Sequence, residues 1–250
     1  MKKLKLCALI AAAGQSSRMG APKALIPIGG EPALVKLARV FNQALIQQIN
    51  ITLPRYLLAH DGLKNLLTTM PVKNMPNFYD AHGYAGSIKT VIEKLSPSCD
   101  GILITPVDSP FVSSSLIRSI INLVEFIYLQ DIIKVPKYYM SAGHPVYLSK
   151  KYFPKLKNCF ELGGLNAFIA QNYQQVKILY WPDKLIGANL NSRQDLSLTQ
   201  AAQSCAGNFG KAHDEFCTAA FGGVAFDIAT KAIHGHFTIS QPHASTKFGT

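Results

Sequence analysis

Residues 4 to 13 form a nearly continuous apolar run that ends at Gly14, with Leu6-Cys7-Ala8-Leu9-Ile10-Ala11-Ala12-Ala13 uninterrupted by a polar position. A run without alternation predicts a strand buried on both faces at the centre of a parallel sheet. Beyond a Gly/Ser/Pro-rich loop the period changes: Leu34, Leu37, Ala38, Phe41, Leu45 and Ile46 recur at helical spacing behind Pro32, which predicts a helix over 32–48. Strand, loop and helix make half of a βαβ unit. The alternation continues with strands predicted at 49–53, near 75–79, at 101–105, near 131–135, at 145–148 and at 176–181. Helices are predicted at 61–70, 86–95, 114–126, near 150–156, at 163–171 and at 192–203. This order predicts a three-layer α/β/α Rossmann-like domain with a mainly parallel sheet, right-handed crossovers and ligands at the carboxyl ends of the strands. Residues 204–250 have no sustained period and read as an appendage to a domain spanning 1–203.

Composition narrows the function classes. With 250 residues, 48% hydrophobic and 16% charged, the chain can bury a full core and lies far from the profile of a disordered protein. The net charge of +11 belongs to the body, because Lys211, Lys231 and Lys247 balance Asp214, Glu215 and Asp227 in the tail. A basic body favours anionic partners such as nucleotides or phosphorylated metabolites, although a solvated basic surface that aids solubility accounts for the charge equally well. No arginine-rich run or nucleic-acid motif accompanies it, so no nucleic-acid partner is expected. The five cysteines (Cys7, Cys99, Cys159, Cys205, Cys217) include no C-x-x-C pair and argue for a reducing compartment. Two lysines followed by an apolar run imitate a secretory signal. The run is short, however, and the loop after it needs it as a strand, so a cytoplasmic protein is expected. No segment approaches the roughly 20 apolar residues of a membrane helix. His234-Gly235-His236 offers two imidazoles without a third ligand, which reads as an exposed loop ahead of a metal site.

The chemistry concentrates in Ala11-Ala12-Ala13-Gly14-Gln15-Ser16-Ser17-Arg18-Met19-Gly20-Ala21-Pro22-Lys23, between the buried strand and the first helix. Small residues at the strand end let a base lie against the backbone, Gly14 and Gly20 permit tight curvature, and exposed N–H groups can cradle phosphate oxygens. Arg18 and Lys23 supply positive charge. An ordinary βα loop with a surface Arg and Lys shares the glycines, and the full spacing separates the two readings. Over Ala12–Lys23 the sequence resembles the signature A-A-G-x-S-x-R-M-G-x-x-K of the nucleotidyltransferase superfamily that includes the molybdenum cofactor cytidylyl- and guanylyltransferases and the methylerythritol-phosphate cytidylyltransferases. The apolar segment Ala24–Ile28 and Gly30-Glu31-Pro32 continue the resemblance.

Further segments agree in order, so the resemblance covers about residues 4–202. Gly83-Tyr84-Ala85-Gly86-Ser87-Ile88-Lys89 is similar to the family's G-M-x-x-S-L loop, in which Ser87 faces the nucleotide; a helix N-cap serine is the plain alternative. Thr105-Pro106-Val107-Asp108-Ser109-Pro110 resembles the G-D-x-P metal segment with Val107 in place of glycine, and makes Asp108 the magnesium ligand; alternatively Asp108 caps the following turn. Gly143-His144-Pro145 resembles the G-H-P segment on the acceptor side of the molybdenum cofactor cytidylyltransferase branch, while a lone histidine is otherwise a packed or surface residue. Asn189-Leu190-Asn191-Ser192-Arg193-Gln194-Asp195-Leu196 resembles the D-I-D-T-P-E-D-L turn, with asparagine for both of the first two aspartates, so Asn191 is a weakened second metal ligand.

The resemblance implies transfer of a nucleoside monophosphate from an NTP to a small phosphorylated acceptor with release of pyrophosphate. Ala12, Ala13, Gly14, Ser16, Arg18, Lys23 and Ser87 then bind the nucleotide, Arg18, Lys23 and Asp108 act in catalysis, His144 meets the acceptor, and Asp108 with Asn191 holds Mg2+. CTP is expected over GTP, because guanylyltransferase relatives tend to have L-A-G-G where this chain has Ala11-Ala12-Ala13-Gly14. The implied acceptor is molybdopterin or its molybdenum-loaded form, with a molybdoenzyme as the onward partner. A sugar- or methylerythritol-phosphate acceptor is the enzymatic alternative, and a non-catalytic nucleotide-binding or chaperone-like module is the alternative that the two asparagines favour.

Overall fold

A computed structural model describes residues 3–14, 21–127 and 132–190 of the chain. In chain order these residues form β1 (Leu6–Ala11), the short pair β2 (Pro27–Ile28) and β3 (Glu31–Pro32), α1 (Ala33–Gln43), β4 (Gln48–Leu53), α2 (Arg55–Leu58), α3 (Asp61–Leu67) and β5 (Val72–Pro76). There follow α4 (Gly83–Ile92), β6 (Gly101–Pro106), α5 (Ser114–Ile127), β7 (Ile133–Tyr138), β8 (Ser141–Ala142), β9 (Val146–Ser149), α6 (Phe153–Leu156), α7 (Leu165–Gln171) and β10 (Val176–Tyr180). The main sheet runs β10-β7-β9-β6-β1-β4-β5, with β8 added at β7. Every neighbour along that path is parallel except β9, which is antiparallel to both β6 and β7.

The apolar runs explain the order. All six residues of β1 are buried, as are the first five of β6, so these strands need cover on both faces and take the centre. Leu9, Ala11, Ile102 and Ile104 join Ile88 and Val91 of α4 and Phe168 of α7 in one core layer. On the opposite face α1 packs on β1, α3 and α5 and buries Leu34, Leu37, Ala38 and Phe41. The result is the mixed α/β sandwich with a mostly parallel sheet that the periodicity predicts. Cys7, Cys99 and Cys159 are buried free thiols. No helix among the described residues is long and apolar enough to cross a membrane. The predicted helix at 192–203, the tail at 204–250 with Cys205, Cys217 and the His234–His236 pair, and the boundary between them lie outside the described residues.

Among the element ends that differ from expectation, two have clear local reasons. The first helix stops at Gln43, five residues early, because Leu45 turns left-handed at φ 61°. Its N–H then reaches Asn42 O at 2.9 Å and the Ile46 N–H reaches Phe41 O at 3.2 Å, the paired bonds of a Schellman cap. Ile46 is buried and Leu45 is 77% exposed, so the apolar period runs through a residue that has left the helix. Likewise β5 lies at 72–76, not 75–79, since the Asn77 side-chain oxygen accepts the Tyr79 N–H at 3.0 Å and the Thr90 hydroxyl at 3.1 Å. That side chain diverts the backbone into a turn ahead of α4, which starts three residues earlier than predicted. The one-turn helix α2 and the strand β8 carry no sequence period that would announce them.

An L-residue held in the left-handed region costs roughly 1–2 kcal/mol, and glycine removes that cost at a C′ position. Leu45→Gly is therefore expected to raise the unfolding free energy by about 1 kcal/mol, read from the urea midpoint at constant slope. A lower midpoint would mean that the exposed Leu45 side chain contributes packing that outweighs backbone relief.

Candidate active site

The chain leaves β1 toward β4 on one side and returns through β6 on the other. Connections that depart in opposite directions from adjacent parallel strands leave a crevice above their carboxyl ends. A cavity of about 630 Å³ occupies that place, lined on one side by Ala11, Ala12, Ala13 and Gly14 after β1, and on the other by Pro106, Val107 and Asp108 after β6. The Val107 N–H bonds Ala11 O at 3.0 Å, so the two strand ends stay laced together up to the rim.

Lys23 enters the cavity from a single 3-10 turn (Lys23–Leu25) that buried Ala24 anchors. Its ammonium donates to Asp108 Oδ2 at 2.9 Å, across 85 residues of sequence. Both side chains are partly exposed, 20% and 26%. An ion pair of that exposure contributes about 1 kcal/mol or less to stability, so the pair is no folding device. The Asp108 carboxylate accepts no backbone N–H among the described residues; the turn-capping alternative is not realised. Its backbone is fixed instead: the Leu190 N–H bonds Asp108 O at 2.7 Å, and the Ser109 hydroxyl donates to Asn189 Oδ1 at 2.5 Å. Asn189, at the first of the two family aspartate positions, thus lines the cavity while its amide oxygen is already engaged.

The opposite wall comes from α4. Ser87 is buried and lines the cavity, five residues into the helix, so it is not an N-cap. Gly86 explains how the helix gets so close, because a Cβ there would lie 1.9 Å from Tyr79 O. One turn before Ser87, Tyr84 also lines the cavity, and its hydroxyl is buried without a hydrogen-bond partner among the described residues. Burial, and after it the Asp108 charge, pushes the phenol far above its ordinary pKa, so it stays a neutral donor. The sequence reading missed Tyr84; its one signal was standing where the family pattern G-M-x-x-S has methionine.

The Gly143-His144-Pro145 segment presses against the turn Lys184–Gly187: a Cβ at Gly143 would lie 2.6 Å from Ile186 O, and the His144–Pro145 peptide is cis. His144 lines the cavity with Nδ1 3.4 Å from Ile104 O, a carbonyl that can only accept and so holds the proton on Nδ1. Burial pushes the imidazole below its usual pKa, and the Ile104 carbonyl and Asp108 oppose that shift without reversing it. At neutral pH His144 is uncharged. The outer wall holds a ring pair unseen in the sequence, His82 stacked on Phe160 at 4.3 Å between centroids. Lys89 Nζ backs Phe160 at 5.0 Å and Tyr79 at 4.2 Å, which locks this wall to α4. Ser16, Arg18 and Asn191 lie outside the described residues.

A family model described as the MobA-like NTP transferase domain matches residues 8–176. The chain belongs to this family. It is a nucleotidyltransferase, and the residues that line the cavity up to Leu165 fall inside the matched range. Rv0371c from Mycobacterium tuberculosis H37Rv is similar in fold, with a TM-score of 0.67 at 23% identity over 79% of this chain and 98% of that one. The manganese complex of Rv0371c aligns with a TM-score of 0.58 at 21% identity over 77% and 96%. A 4-diphosphocytidyl-2C-methyl-D-erythritol synthase from Anaerococcus prevotii DSM 20548 gives 0.62 at 14% identity over 81% of this chain and all of its own, 100%. No curated protein matches the sequence.

A buried donor without a partner costs about 1–3 kcal/mol, which substitution by a phenyl ring removes. Tyr84→Phe is accordingly expected to leave stability equal or raise it by about 1 kcal/mol in urea unfolding. A loss of that size instead would mean the hydroxyl is bonded in solution.

Proposed function

We propose that the chain transfers CMP from CTP to the phosphate of molybdopterin or its molybdenum-loaded form, through a domain spanning residues 1–203. The observation that carries the reading is the meeting of Lys23 and Asp108 in one cavity whose floor is the small-residue end of β1. An acceptor phosphate oxygen attacks the α-phosphorus in line; one P–O bond forms there, the α–β bridge breaks, and pyrophosphate leaves. No protein nucleophile is needed, so the protein's part is positioning and charge stabilisation. In this reading the backbone of Ala12, Ala13 and Gly14 and the Ser87 side chain hold the nucleotide, while Lys23, with Arg18, takes up charge developing on the leaving pyrophosphate. His144, uncharged and fixed by Ile104, orients the acceptor by hydrogen bonding and not by charge. The His82–Phe160 stack offers a flat aromatic surface, which supports an acceptor that carries a planar pyrimidinone ring over an acyclic polyol phosphate.

The donor set fits a divalent cation carried by the nucleotide. Among the described residues no group of three or more Asp, Glu, His or Cys forms a cage, and Asp108 presents a single carboxylate. Magnesium sites of that type use one or two carboxylates and complete the shell with phosphates and water. When bound, the ion supplies charge neutralisation and polarisation at the phosphates. Asp108 would hold it, with Asn191 as the proposed second ligand. The manganese complex of Rv0371c supports a divalent cation in this fold without selecting magnesium.

Pyrophosphate release across a panel of CTP, GTP, ATP and UTP with molybdopterin or methylerythritol phosphate tests the reading. Turnover is expected with CTP and molybdopterin; GTP preference overturns the base assignment, and methylerythritol phosphate as the better acceptor moves the chain to the other cytidylyltransferase branch. Asp108→Ala is expected to lower turnover by on the order of a hundredfold or more, the scale of removing one electrostatic group from a transition state. Full metal-dependent activity in that variant would remove Asp108 from the reaction.

A further inference from the structure

Asp108 is the one carboxylate among the described residues that line the cavity, and its Oδ2 is occupied by the Lys23 ammonium at 2.9 Å. Asn189 beside it adds no charge, and its amide oxygen accepts the Ser109 hydroxyl. A cation arriving alone must therefore compete with a tethered ammonium for the only carboxylate in the described lining of the cavity. A triphosphate changes this balance, because it offers Lys23 a second anion in the same cavity, next to the backbone of Gly14.

We propose that Lys23 holds the place of the divalent cation on Asp108 until a nucleotide draws the ammonium away, so that cation and nucleotide enter as one cooperative event. Lys23 then bonds Asp108 before binding and the phosphates after it. The exchange makes each ligand raise the affinity of the other by the same factor, since coupling free energy is reciprocal. It also keeps the protein from loading with free metal, which a half-buried carboxylate at a strand end would otherwise begin to collect. The inference rests on the nucleotidyl-transfer reading only for the identity of the second ligand; the occupancy of Asp108 by Lys23 is independent of turnover.

The test is a titration of the full-length protein with Mn2+ alone, followed by electron paramagnetic resonance of the free ion, for wild type, Lys23→Met, Lys23→Gln and Lys23→Arg. Both neutral variants are expected to bind Mn2+ about tenfold more tightly than wild type, equivalent to about 1.4 kcal/mol. Lys23→Arg, which keeps the positive charge, is expected to stay near wild type. In the same proteins CTP affinity measured by calorimetry should fall for the neutral variants, an opposite sign that a merely structural lysine would not produce. Two neutral variants guard against one that fails to fold. Unchanged or weaker Mn2+ binding in the folded neutral variant overturns the exchange. Tighter Mn2+ binding together with no turnover on any NTP and acceptor sustains the exchange and defeats the transferase assignment of substrates instead.

Discussion

The carboxyl ends of β1 and β6 lie side by side in parallel register, from Leu6↔Gly101 to Ala11↔Pro106, while the chain leaves them toward opposite halves of the sheet. That constraint generates the cavity, because neither onward connection can fold back over the gap between the strands. It also fixes which residues meet. The first loop returns Lys23 to the rim, the turn after β6 delivers Asp108, and the two close an ion pair across a span that no local structure could bridge. The strands are buried along their length, so the backbone under the site is among the least deformable parts of the protein. What can change there is side-chain partnership, which is where a ligand-driven exchange has to act.

The walls of the cavity are held by close backbone approach as much as by side chains. Gly86 lets the first turns of α4 press on Tyr79, and Gly143 lets the histidine segment press on Ile186. Each glycine therefore carries a chemical group to its place: Gly86 brings Ser87 and Tyr84, and Gly143 brings His144. Lys89, set against Tyr79 and Phe160, ties the aromatic wall to the same helix. A side chain at either glycine would clash with a backbone carbonyl and force the wall to shift, which links local sterics directly to the geometry of binding.

The central strands were legible because Leu6–Ala11 and Ile102–Ile104 are apolar on both faces and too short for a buried helix. The end of α1 was not, since Leu45 and Ile46 extend the apolar period while the backbone has already turned left-handed. The end of β5 was displaced for a similar reason: Phe78 and Tyr79 look like strand residues, and the side-chain bonds of Asn77 that override them involve Thr90, remote in sequence. In the site, Lys23, Asp108, Ser87 and His144 were named by the resemblance to the family's motifs, and the structure brings all four to one cavity. Tyr84, His82, Phe160 and Asn189 gain meaning only from packing between distant segments, which periodicity does not encode. An unpartnered phenol hydroxyl, in particular, is defined by what surrounds it and leaves no trace in the sequence beyond the tyrosine itself.

The charge of the chain acts on a different length scale from the charge of the site. The net +11 is spread over the body, yet Lys23 is the only lysine or arginine and Asp108 the only carboxylate among the described cavity residues, and they cancel. A basic surface raises the encounter rate with anions over distances set by the Debye length, about 8–10 Å near physiological salt, and does so for any phosphate. A cavity whose own charges are paired adds little attraction for a lone phosphate or a lone cation. Separating Lys23 from Asp108 requires an anion for the first and a cation for the second at the same moment. A metal–nucleotide complex meets both demands in one molecule. Under the proposed exchange, discrimination against the abundant simple anions follows from the pairing itself, before any contact with the base or the acceptor is made.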